Sequence, residues 1–189
     1  MTDKLLAKRI NNVIPNLYLN EMKEVLLSPD FQWHLVPYTV PPDTLASSLD
    51  TIKEGPMLFH SCMIGGNYTS DVGPLFRPLL WFLEKDHNIV AKRIERIKIN
   101  MILKDGSYPP NCHHSPHVDI WDTTGNYNTF LFYLNDSDGD TIILKDDKIV
   151  ERYQPLENTG IVFDSKLFHA SSPPVTSEYR LVINFIYEV

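Results

Sequence analysis

From Ile94 onward the chain reads with a period of two. Apolar and polar residues alternate in short runs broken by Asp, Asn, Gly and Pro, which predicts strands near residues 94–103, 113–121, 127–135, 139–145, 148–154, 160–164, 167–172 and 178–188. Eight short strands with tight connections suggest two facing antiparallel sheets, a jelly roll, so the fold class expected is mainly β with flanking helices.

The first half reads differently. Residues 13–19 suggest a strand, followed by a short amphipathic helix with Asn20 as its N-cap and Ser28-Pro29 as its stop. The aromatic-rich stretch 31–40 suggests a further strand, 41–56 a long polar loop, and 57–63 a strand ended by Gly65-Gly66-Asn67. Leu75, Phe76, Leu79, Leu80, Phe82 and Leu83 recur at helical spacing, which predicts a helix over 74–87 whose first turns Pro78 distorts. Its aromatics are core packed under a sheet. At 189 residues the chain fits one domain, with 1–93 supporting a jelly-roll core at 94–189.

The formal net charge of −7 argues against a nucleic-acid partner, because binding to phosphates draws on clustered Lys and Arg. The nearest basic cluster is Lys92-Arg93 with Arg96 and Lys98, an alternating-sign run that reads as a solvated face. Two cysteines, Cys62 and Cys112, imply no disulfide framework and a reducing compartment. Residues 1–12 lack an apolar core of signal-peptide length, and no apolar run reaches membrane-spanning length. The expectation is a cytoplasmic protein without a membrane partner.

His117-Val118-Asp119 and the distant His169 carry the chemistry. Along a strand His117 and Asp119 would share one face with Trp121, while Val118 turns away. Two imidazoles and a carboxylate can cap one face of an octahedral iron(II) ion and leave the other positions open to small ligands. The competing reading is a pair of hydrogen-bonded core histidines. Eleven residues past His169, Arg180 opens a run that aligns Arg180, Val182, Asn184 and Ile186 on one face. A guanidinium aimed into an apolar cavity needs an anionic partner, and that strand supplies no carboxylate.

Two other metal patterns fail on geometry. Cys112, His113, His114 and His117 resemble a zinc cluster, but neighbours in an extended segment point apart. His113 and His114 are instead expected in a loop at the pocket mouth, where His114 could touch substrate. Asp136, Asp138 and Asp140 suggest a calcium loop, yet Lys145 stands where the bidentate Glu is required, so a hairpin turn is expected. Asn67-Tyr68-Thr69 matches a glycosylation acceptor that carries no weight without a secretory signal.

With the His-x-Asp pair, distal His and later Arg in place, the sequence resembles the iron(II)/2-oxoglutarate-dependent dioxygenases. From Tyr127 it resembles the prolyl-hydroxylase branch, through Phe132-Tyr133-Leu134-Asn135, Asp138-Gly139-Asp140-Thr141 and Gly160-Ile161-Val162-Phe163-Asp164. Upstream, Ile97-Lys98-Ile99-Asn100 resembles phage and marine-microbial members. The resemblance implies a double-stranded β-helix of the cupin-like kind. It also implies Fe(II), 2-oxoglutarate as co-substrate, and O2, with hydroxylation of a small-molecule or peptidyl substrate coupled to release of succinate and carbon dioxide. In that scheme His117, Asp119 and His169 hold iron, and Arg180 clamps the distal carboxylate with help from Tyr133. Thr129 and Asn184 are expected beside the co-substrate, and Trp121 is expected as the floor beneath the substrate. The chain departs from the pattern at 104–116, a long loop with no counterpart of the Tyr that usually helps position the co-substrate. Two other classes are a jelly-roll metal-binding module without turnover and a nucleobase-demethylating oxygenase.

Overall fold

The computed structural model describes residues 5–40, 53–109, 111–121 and 124–189. Eleven strands lie among these residues: β1 (Ala7–Asn11), β2 (His34–Val36), β3 (Met57–Ile64), β4 (Asn67–Tyr68), β5 (Arg93–Leu103), β6 (Tyr127–Tyr133), β7 (Thr141–Lys145), β8 (Lys148–Tyr153), β9 (Thr159–Asp164), β10 (His169–Ser171) and β11 (Tyr179–Glu188). The major sheet runs β1-β9-β6-β11-β5-β3-β2, with β4 paired to β3, and the minor sheet runs β10-β7-β8. This is the expected mainly β architecture, a double-stranded β-helix.

Alternation along the central strands divides the major sheet into two buried faces. Leu181, Ile183, Phe185 and Tyr187 of β11, with Ile97, Ile99 and Met101 of β5 and Phe130 and Phe132 of β6, pack under two helices. Leu131 and Tyr133 of β6, Ile161 and Phe163 of β9 and Val182 of β11 face inward, against Ile143 and Tyr153 of the minor sheet. A strand covered on both sides reads as a nearly continuous apolar run, and β11 does so.

The helices are α1 (Asn16–Leu26), which buries Leu19, Met22 and Leu26 at helical spacing, and α2 (Pro78–His87), which buries Leu79, Leu80 and Leu83. Pro78 sits in the first turn of α2, where its missing N–H costs nothing, so it starts the helix instead of distorting it. A single 3-10 turn at Gly73–Leu75 precedes it.

The N-terminal strand lies earlier than expected. Strand β1 ends at Asn11, and α1 begins directly after Pro15, at Asn16 rather than beyond Asn20. Val13 and Ile14, expected as strand, form a buried connection. Their backbone bonds go to one residue: the Val13 amide donates to the Asn158 backbone carbonyl at 3.2 Å, the Ile14 amide donates to Asn158 Oδ1 at 3.0 Å, and Asn158 Nδ2 donates to the Ile14 carbonyl at 2.7 Å. Within 31–40 only His34–Val36 pairs as strand. The expected loop 41–56 falls mostly outside the described residues. No described helix is long and apolar enough to cross a membrane.

The expected strand at 113–121 is absent. That segment is irregular backbone attached by isolated bridges at His113 and His117, and in the second His117 and His169 exchange both backbone hydrogen bonds at 2.9 Å. Two further amides, of Asp119 and Ile120, donate to the Ser165 carbonyl.

Candidate metal centre and anion cavity

The bridge places His117 directly beside His169, with ring centroids 4.4 Å apart. Among the described residues the one convergent group of metal-type donors is His117, Asp119 and His169, whose ligand atoms lie within 4.8 Å of one another. Each imidazole turns Nδ1 to a backbone carbonyl, His117 toward Ser115 and His169 toward Leu167 at 3.1 Å. That arrangement fixes the ring and leaves Nε2 free for an ion, the usual outer-shell device of a metal-binding histidine.

Asp119 is the most heavily supported of the three. Its side chain is 2% exposed and is reached by Arg96 at 2.5 Å, Thr129 Oγ1 at 2.7 Å and Asn184 Nδ2 at 3.2 Å. Burial alone would raise its pKa, but Arg96, His169, His117 and the Thr129 hydroxyl together hold it well below the usual carboxylate range. Burial, followed by the neighbouring His169, depresses the His117 pKa to about 3. The pair therefore presents a carboxylate and a neutral imidazole at neutral pH, the protonation states a divalent cation requires.

Arg180 and Tyr133 meet as expected. Arg180 is 4% exposed, with Nε donating to the Gly139 carbonyl at 2.9 Å and Nη2 to Thr141 Oγ1 at 2.7 Å. The Tyr133 hydroxyl donates to the same Thr141 oxygen at 2.8 Å, and the guanidinium lies 5.8 Å from the Tyr133 ring centroid. Among the described residues no carboxylate forms an ion pair with Arg180. The turn at Gly139 is close-packed: a Cβ there would meet the Ser172 carbonyl oxygen at 2.6 Å. Glycine thus lets the 137–141 turn bring its carbonyl to Arg180.

Several expected residues occupy other places. Thr129 and Asn184 bond the Asp119 carboxylate, so they orient a metal ligand. Trp121 is 65% exposed and rests edge-on against Phe168, at the rim of the cavity and not its floor, because its segment is not a strand and alternation does not govern it. His114 is 1% exposed, 3.0 Å from Ser171 Oγ, and lines a neighbouring cavity of about 280 Å3 with Tyr108 and Gly55. It is therefore a buried structural histidine and not a mouth residue. Asp138 accepts from the amides of Val175, Thr176 and Ser177, the role of a turn residue.

The cavity that joins these groups measures about 200 Å3 and is lined by His117, Asp119, Trp121, Arg180 and Asn184 together with Arg96, Lys98 and Asn100. Sequence reasoning does not find the last three, since Arg96 and Lys98 pass for a solvated face. Their spacing of two on β5 is the signal, because it sets them on one side while Ile97, Ile99 and Met101 face the helices. Thr141, the partner of Arg180, is likewise silent in the sequence.

Residues 106–188, a span holding His117, Asp119, His169 and Arg180, match the model of the 2OG-Fe(II) oxygenase superfamily. A 2OG-Fe(II) oxygenase-family oxidoreductase from Burkholderia pseudomallei superposes with a TM-score of 0.71 at 14% identity, over 97% of this chain and 85% of that one. A prolyl hydroxylase from Trichoplax adhaerens, solved with a hypoxia-inducible-factor peptide, gives 0.60 at 17% identity, over 97% and 83%. The epimerase SnoN, in complex with Fe3+, alpha ketoglutarate and nogalamycin RO, gives 0.58 at 12% identity, over 97% and 78%. No curated protein matches the chain in sequence. The family match spans less than half of the chain and the solved structures share its fold; the cofactor set of the matched superfamily is Fe(II), 2-oxoglutarate and O2, and the His117, Asp119, His169 triad fits that set.

Proposed function

We propose that this chain is an iron(II)- and 2-oxoglutarate-dependent dioxygenase that hydroxylates a small-molecule or peptidyl substrate. One observation carries the reading: His117 and Asp119 of a three-donor metal set line the same cavity as a buried guanidinium that has no carboxylate ion-pair partner among the described residues. A structural metal site has no use for the guanidinium, and a simple anion site has no use for the triad. An unpaired buried charge is costly, so Arg180 is built to receive an anion.

Bound iron supplies the oxygen chemistry, coupled to oxidative decarboxylation of the keto acid. His117, Asp119 and His169 would hold the ion. Thr129 and Asn184 keep the Asp119 carboxylate oriented and ionised. Arg180 and Tyr133, with Thr141 bridging them, take the distal carboxylate and so set the direction in which the keto-acid end points. Trp121 stands at the rim, on the side from which a substrate enters. The prolyl hydroxylase and the epimerase share this fold, so the fold does not choose the substrate.

Anaerobic addition of Fe(II) and 2-oxoglutarate is the test. The weak visible charge-transfer band of a chelated keto acid is expected. Absence of the band, or zinc held in a closed four-ligand site including Cys112, would overturn the reading.

A further inference from the structure

The inward face of β5 is the least expected part of the cavity, because it adds two cations, Arg96 and Lys98, to a site that already contains Arg180. The proposed cofactor set balances without them. The metal dication and Arg180 together offset Asp119 and the two carboxylates of 2-oxoglutarate. Arg96 and Lys98 are then a surplus of positive charge in a half-enclosed cavity, where low dielectric makes uncompensated charge costly. Arg96 is tied to Asp119 at 2.5 Å, although its Nε is buried without a partner. Lys98 forms no ion pair among the described residues, and its ammonium lies 4.8 Å from the Phe59 ring centroid. Beside it, the buried Asn100 side-chain oxygen has no partner; being an acceptor, it can receive a bond from a donor on a ligand but cannot hold an anion.

Register places Lys98 away from the co-substrate clamp. Lys98 pairs across the sheet with Asn184, which bonds the metal carboxylate, whereas Arg180 pairs with Ile102. Four residues of strand correspond to about 13 Å, so Lys98 stands level with the metal and not with the distal carboxylate.

We propose that Lys98 is a specificity-determining residue that selects a small substrate bearing a carboxylate or phosphate group. This rests on the oxygenase reading and narrows its substrate to acids. The negative charge of the whole chain disfavours a polynucleotide as the source of that anion, and a cavity of about 200 Å3 suits a small molecule.

The test uses the full chain loaded anaerobically with Fe(II) and saturating 2-oxoglutarate. Inorganic phosphate, butyrate and butyramide are titrated in turn while the keto-acid band is followed. Phosphate or butyrate is expected to shift the band and butyramide is not, and which anion acts tells phosphate from carboxylate. Lys98→Met is expected to weaken the response about tenfold or more, as for loss of a charge-assisted bond, while Lys98→Arg retains it and the 2-oxoglutarate dissociation constant stays the same in both. The proposal is overturned if neither anion acts, if butyramide acts equally, or if Lys98→Met responds like the parent. It is also overturned if Lys98→Met weakens 2-oxoglutarate as strongly as loss of Arg180 does, since Lys98 would then serve the co-substrate. Failure of the band to form at all would strike the oxygenase reading instead.

Discussion

Arg180 is the residue on which the co-substrate assignment depends. Arg180→Ala is expected to weaken 2-oxoglutarate binding by about ten- to over a hundredfold, since a charge-assisted bond contributes roughly 1.5–3 kcal/mol, and to leave iron affinity nearly unchanged. Equal 2-oxoglutarate dissociation constants for mutant and parent would remove Arg180 from the site. His114 supports a prediction of a different kind. Burial depresses its pKa to about 4; Glu54 opposes the shift, and Arg180 and His113 add to it. Because the unfolded chain then binds more protons, this histidine contributes stability that is full above about pH 6.5 and is lost as pH falls toward 4. His117 acts in the same direction over a window reaching lower. His114→Gln should therefore make the metal-free chain less pH-sensitive between pH 7 and 4.5 in urea unfolding, and an unchanged slope would contradict it.

At the scale of elements, legibility follows regularity. Period-two alternation is imposed by the backbone, so the sequence alone sets Arg180 and Asn184 on one face of β11 and Tyr133 on the same face of β6 as Leu131. The same rule fails at 113–121, because those residues are held by single bridges and side chains instead of a ladder, and nothing in their own alternation signals that. It fails again at 13–19, where the buried Val13 and Ile14 owe their hydrogen bonds to Asn158, some 144 residues away in sequence. The turn carrying Gly139 and Thr141 is a regular device of another sort. Asp138 fastens it to residues 175–177 through bonds of 2.9–3.1 Å. Burial works against its ionisation, but the Ser177 and Thr176 donors hold its pKa well below the ordinary carboxylate value. Asp138→Ala is expected to cost about 1–2 kcal/mol in chemical denaturation at neutral pH, and to weaken 2-oxoglutarate binding by less than Arg180→Ala does. The stability term disappears as pH falls below the unfolded-state value of about 3.9. Unaltered stability would show that the turn is held by other contacts.

Across the whole molecule, the major sheet is buried on both faces, one by helices and one by the minor sheet. An inward polar face and a solvated polar face look alike in sequence, which is why Arg96 and Lys98 read as surface while the jelly roll itself is legible. The cavity face is where the charge collects: three cations line one small space with His117 and Asp119 of the triad, in a chain whose net charge is −7. The central claim is that metal and dicarboxylate are bound there together, each by its own residues. Calorimetric titration of 2-oxoglutarate and of glutarate into the chain, with and without Mn(II) as a redox-stable substitute for iron, tests it most directly. Binding of one 2-oxoglutarate per chain that tightens about tenfold or more with metal is expected, because only the keto acid can chelate. Glutarate should bind weakly through Arg180 and be indifferent to metal. If 2-oxoglutarate and glutarate bind alike and neither responds to Mn(II), His117, Asp119, His169 and Arg180 do not form one site.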